Sequence, residues 1–142
     1  MKIAARKSVN GAMARREQLV SERARAATLR MLFPEIGQLR LELAFNDPSK
    51  GSTQPSPQLH TLYSAAPAFF RFACPCADCD GDFDLTESVT KLIASAPGHR
   101  RAASLAGNLS CRGVRFREHA TLEIACPMQL TFRLSAEPHK PE

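Results

Sequence analysis

Two alternating runs near the C-terminal end constrain the fold most. In residues 105 to 115, Leu105, Gly107, Leu109, Cys111 and Gly113 share one face of an extended chain. In residues 121 to 134, Leu122, Ile124, Cys126, Met128, Leu130, Phe132 and Leu134 do the same. A period of two is the mark of a half-buried strand, and the short link "REHA" makes the pair an antiparallel hairpin. With Arg117 opposite Ala120, Leu105 pairs with Phe132, Leu109 with Met128 and Cys111 with Cys126. Every pair then lies on the apolar face, and a one-residue slip would set apolar residues against polar ones. Pro127 cannot donate to a ladder, so the last strand is expected to be an edge or to carry a bulge.

Upstream, residues 10 to 33 read as a helix with Met13, Val20, Ala24, Ala27 and Met31 on one stripe and Arg15, Arg16, Glu22, Arg23 and Arg30 on much of the rest. Pro34 ends it, because the residue before a proline is pushed out of the α region. "QLRLELAF" alternates as a strand, residues 46 to 58 form a loop with three prolines, and "AFFRFAC" is a second strand. Asp84, with Glu87 three residues later, opens a helix whose apolar face is Leu85, Val89, Leu92 and Ile93. The order helix, strand, strand, helix, strand, strand predicts an α+β fold: an antiparallel sheet of about four strands with helices packed on one face. The chain's 142 residues suit one domain with a real core. We place that domain at residues 10 to 136, between a frayed segment 1 to 9 and a tail 137 to 142.

Five cysteines carry the chemistry. Cys74, Cys76 and Cys79 crowd "FACPCADCDGDFDL", and Cys111 and Cys126 face each other across the expected hairpin. Opposed side chains have Cβ atoms about 4.5 to 5.5 Å apart, which lets two thiolates share a zinc ion through bonds of about 2.3 Å. Cys76 and Cys79 have the C-x2-C spacing that aims two sulfurs at one metal, and Cys74 ends the second strand. All five are candidate ligands of a single structural zinc ion. Against that stand a core role, since free cysteine is among the most buried residue types, and redox chemistry, including a Cys111–Cys126 disulfide or a thiol enzyme built on Cys74, Cys76 and Cys79.

The segment "FACPCADCDGDFDL", with "PSPQLHTLY" upstream, resembles a group of uncharacterised bacterial proteins that carry a C-P-x3-C-x-G-x-F-D-L segment. The group has no established activity, so the resemblance implies no function. It does imply Cys74 and Cys79 as ligands, where spacing alone favours Cys76 and Cys79.

Asp78, Asp80, Asp82 and Asp84 alternate, but Phe83 and Val89 stand where a calcium loop starting at Asp78 needs Gly and Glu. These carboxylates are expected to form a solvated acidic turn and to raise the pKa of nearby thiols. His60 is read as a hydrogen-bonded structural residue; His119 and His139 have no evident partner. Phosphate-loop, serine-hydrolase and zinc-protease motifs are absent, and whether the chain is an enzyme is left open. The net charge of +5 is concentrated: residues 1 to 40 hold nine Lys or Arg against three Glu. A basic N-terminal helix invites nucleic-acid binding, although the interleaved aromatics of a single-strand reader are missing. No run approaches the roughly 20 apolar residues of a membrane span, and "MKIAARKSVNGAMARR" lacks the apolar core of a secretory signal. The expectation is a cytoplasmic, zinc-stabilised binding or interaction domain with an unknown protein partner. The alternatives are a thiol-based redox protein and a nucleic-acid-associated factor.

Overall fold

A computed structural model describes residues 2–50, 56–76, 78–95, 103–115 and 124–138, with side chains except those of residues 2–10 and 50. The fold is α+β. Its centre is an antiparallel sheet of four strands: β1 (Ile36–Asn46), β2 (Gln58–Tyr63), β5 (Ala103–Ser110) and β8 (Gln129–Pro138), in the spatial order β2-β1-β8-β5. One face is built from residues of alternating position. Leu41 lies between His60 and Leu134, and Leu134 in turn pairs with Leu105. Leu43 pairs with Phe132, which faces Gly107. Gly107 is needed there, because a Cβ at that position would sit 2.7 Å from the Phe132 ring. Leu39, Leu41, Leu43, Leu130 and Leu134 are fully buried. The helix α3 (Thr86–Ala94) lies against β5 and β8 and buries Val89, Leu92 and Ile93. Asp84 accepts from the N–H and hydroxyl of Thr86 at 2.9 and 2.5 Å, which satisfies a helix-end donor, but the N-cap is Leu85 and the capping box expected of Asp84 and Glu87 does not form.

Four further expectations need correction. The hairpin register is shifted by two residues: Leu105 pairs with Leu134 and Leu109 with Leu130, so Cys111 lies opposite Met128 and Cys126 opposite Gly113. A two-residue shift keeps every side chain on its face, so apolar alternation cannot detect it. Its turn lies outside the described residues. Pro127 does not mark an edge, since β8 is interior; it falls in the break between β7 (Ile124–Ala125) and β8.

The third concerns "AFFRFAC", which contributes only β3 (Arg71–Ala73). That strand pairs with β4 (Asp82–Asp84) in a separate two-stranded sheet. The second strand of the main sheet is β2, in the "QLHTLY" that periodicity left beside the loop.

The fourth is the N-terminal helix. α1 spans Lys2–Arg25, and α2 (Leu29–Leu32) is separate, capped by the Thr28 hydroxyl. Met13 and Val20 are exposed at 53% and 69%, whereas Ala12 and Leu19 are buried. Partly buried polar side chains flank these two apolar residues on the docked face. Arg15, Arg16 and Glu22 reach the β3–β4 unit by hydrogen bonds and an ion pair, and an apolar count cannot see such a face.

Candidate metal centre

Two chain reversals meet at one end of the fold, and each presents two sulfurs. In the first, the β3–β4 register continues past the strands: the Cys74 N–H donates to the Gly81 carbonyl at 3.0 Å. In the second, β6 (Val114–Arg115) pairs with β7, and the Cys126 N–H donates to the Gly113 carbonyl at 3.0 Å. Each half also contains a Cys-x-Gly step whose glycine N–H donates back to the sulfur two residues earlier, Gly81 to Cys79 and Gly113 to Cys111, both at 3.3 Å. The halves are therefore built alike: in each, a cysteine N–H donates to the carbonyl of the glycine that closes the Cys-x-Gly step. A bridge between Cys79 and Arg115 joins them, and Asp80 Oδ1 accepts from the Val114 N–H at 3.0 Å.

The Sγ atoms of Cys74, Cys79, Cys111 and Cys126 lie within 4.8 Å of one another, and all four residues are buried. The Cys74–Cys126 and Cys79–Cys111 separations are 3.8 and 3.6 Å. A tetrahedron with metal–sulfur bonds of about 2.3 Å has edges of about 3.8 Å. A disulfide bond would require about 2.05 Å, and all five cysteines are free. Four buried sulfurs at tetrahedral-edge spacing can hold a metal ion.

Cys76 stands apart from this group. It is half-buried, and its thiol donates to Asp78 Oδ1 at 2.8 Å. Burial, then the Asp78 carboxylate, pushes its pKa up. Within the cluster the protons are unequally held. Cys111 is pulled down to about 5 because Cys74 and the Gly113 N–H donate to it, with Cys79 and Cys126 adding to the effect. Cys74 is pushed up by the same shared proton and by loss of water, and Cys79 is pushed up to about 12, chiefly by burial.

Sequence reasoning missed the groups around the sulfurs. Arg115 is buried and donates through Nη2 to Cys126 Sγ at 3.3 Å and to Asp47 Oδ2 at 3.2 Å. Ser49, through its side chain and N–H, and then Arg115 hold the Asp47 carboxyl below its usual range. From α1, Arg15 donates to the Asp80 carbonyl at 3.1 Å and Arg16 to the Cys76 carbonyl at 3.2 Å. The signal for the glycines was present as the repeated Cys-x-Gly of "CDG" and "CRG"; for Asp47, far away in the chain, there was none.

The acidic run is spoken for. Asp78 accepts from Cys76, Asp80 from Val114, Asp82 from Arg71 and Asp84 from Thr86. His60 packs its ring on Phe72 at 5.2 Å, and its buried Nε2 has no partner among the described residues. It is not part of the four-sulfur group. His119 and His139 lie outside the described residues. Among the described residues no helix is long and apolar enough to cross a membrane. Comparison with protein-family models, with curated proteins and with solved structures gave no match.

Proposed function

We propose that Cys74, Cys79, Cys111 and Cys126 hold one zinc ion as a structural centre, and that the chain works as a binding or interaction domain in a reducing compartment such as the cytoplasm. The observation that carries this is the closed donor set. Four protein sulfurs complete a tetrahedron and leave no position for a substrate, which is the pattern of structural zinc. The ion would tie the β3–β4 unit to the end of the main sheet, and because the site does not pre-exist in the unfolded chain, binding free energy becomes folding free energy.

The interaction reading draws on exposed apolar surface. Leu59 and Tyr63 on β2 are 55% and 61% exposed. Met31 and Leu32 on the neighbouring α2 are 70% and 54% exposed, and α2 is tied to the end of β2 by the Arg30 N–H donating to the Ser64 carbonyl. A protein partner fits such a surface better than nucleic acid fits the basic helix, two of whose arginines are engaged with the metal loop.

Metal analysis with thiol titration tests the proposal on protein purified under reducing conditions. Stoichiometric zinc, with four thiols unreactive until a chelator is added, is the expected result. Protein without metal whose clustered thiols react at once would overturn it in favour of thiol redox chemistry.

A further inference from the structure

Among the described residues, Arg115 is the one buried charged residue. A guanidinium taken out of water costs several kcal/mol unless its charge and donors are matched. Asp47 matches part of this through Nη2, yet Arg115 Nε is buried with no hydrogen-bond partner among the described residues. The same Nη2 points at Cys126 Sγ, 3.3 Å away. The electrostatics of the four-sulfur centre explain why a cation is kept there. A divalent ion with four thiolates leaves two surplus negative charges in a water-poor site. Gly81 and Gly113 donate N–H groups to Cys79 and Cys111. Cys126 instead accepts from a guanidinium whose charge it shares with Asp47.

We propose that Arg115, fixed by Asp47, is the charge-compensating donor of the metal centre, drawing negative charge off the Cys126 sulfur so that the ion is held tightly and the thiolates stay inert to electrophiles. This rests on the zinc reading above and specifies how that centre is kept structural. A metal-bound thiolate with uncompensated charge is a nucleophile. Its sulfur attacks the methylene carbon of iodoacetamide, a C–S bond forms, and iodide leaves with the electrons of the C–I bond. Arg115 suppresses that step at Cys126, and Asp47 acts only through Arg115.

The test compares wild-type protein with R115Q, R115K and D47N, all loaded with zinc. Zinc affinity is measured by competition with a chromophoric chelator, and iodoacetamide adducts are located by peptide mass analysis. R115Q should bind zinc about 10- to 100-fold more weakly, as loss of an outer-shell partner does, and should alkylate faster with Cys126 modified first. R115K should recover much of both, which a purely space-filling role for Arg115 would not produce. D47N, nearly isosteric, should fall between, and it carries the comparison if R115Q does not fold. Unchanged affinity and adduct pattern in R115Q, or in D47N where R115Q is unfolded, would overturn the proposal. So would R115K behaving no better than a folded R115Q. Wild-type protein that takes up no zinc would instead sink the metal reading itself, and this proposal with it.

Discussion

Gly81 and Gly113 face each other across the junction of the two half-sites so closely that a Cβ on Gly113 would lie 2.5 Å from both Cα and N of Gly81. The reverse holds as well: a Cβ on Gly81 would lie 2.5 Å from Cys111 Sγ and 2.9 Å from the Gly113 backbone. Each glycine thus leaves room both for the opposite chain and for the opposite half's sulfur. At Gly113 the two nearest obstructing atoms are backbone, so no side-chain rotation relieves that clash. G113A is expected to cost about 1–3 kcal/mol, in the range of overpacked cores, and to weaken metal binding because the two sulfur pairs are forced apart. Chemical denaturation with and without chelator checks both effects. Wild-type stability with undiminished metal uptake would show that the halves do not meet as described.

The docked face of α1 makes a sharp contrast between neighbours. Leu19 is 5% exposed and Val20 is 69% exposed. L19A should destabilise by about 2–3 kcal/mol, toward the low end for a buried leucine because Leu19 lies outside the main core cluster. V20A should stay within about 0.5 kcal/mol, as surface changes do. Urea unfolding of the two variants decides the matter, and equal losses would restore the apolar stripe through Met13 and Val20 that the periodicity favoured.

The parts of the fold legible in the sequence are those where apolar alternation is strong and local. β1 and β8 were readable because Leu39, Leu41, Leu43, Leu130, Phe132 and Leu134 occupy every second position. α3 was readable from Leu85, Val89, Leu92 and Ile93, with Asp84 before them. β2 was not, because as an edge strand it exposes Leu59 and Tyr63 and so breaks the alternation. The register escaped by two residues because face periodicity is blind to even shifts. At the site, the sequence brought forward five cysteines; the geometry gathers four and leaves Cys76 outside. C-x2-C spacing pointed to Cys76, but the chain turns there, with the Cys79 N–H donating to the Cys76 carbonyl at 3.3 Å, and the partner of Cys79 is the sulfur that ends the strand. Asp47 and Arg115 had no local signature, since their roles depend on contacts 68 positions apart.

Single serine substitutions separate the ligands from the bystander. C76S should leave the metal content and thermal midpoint near wild type, because Cys76 is outside the four-sulfur group and its sulfur donates to Asp78 within its own turn. C126S should lose stoichiometric metal and unfold at the midpoint of chelator-treated protein, since a structural site contributes its binding free energy to folding. Elemental analysis together with thermal melts reads both. Metal loss in C76S with retention in C126S would reassign the site.

The unequal thiols give the metal-free and metal-loaded proteins opposite responses to alkali. Without metal, Cys74 and Cys79 are protonated at neutral pH, the latter holding its proton to about 12, chiefly because it is buried. An unfolded cysteine ionises near pH 8.5. Both groups therefore support the metal-free fold below about 8.5, and that support is lost as pH rises further, because the unfolded chain sheds protons that the folded one keeps. Cys111, held at about 5, works the other way. Its contribution is complete above about 8.5 and is lost as pH falls toward 5. Zinc reverses the alkaline arm, since it needs thiolates and displaces the protons of Cys74 and Cys79. Its affinity should then rise by about two decades or more per pH unit near neutrality. Melts of chelated protein between pH 5 and 10 should show a midpoint that falls above about 8.5, while zinc competition at pH 6.5 and 7.5 should show the steep gain. Affinity flat with pH would mean that the bound ion displaces no thiol protons, and the four sulfurs would not be its ligands.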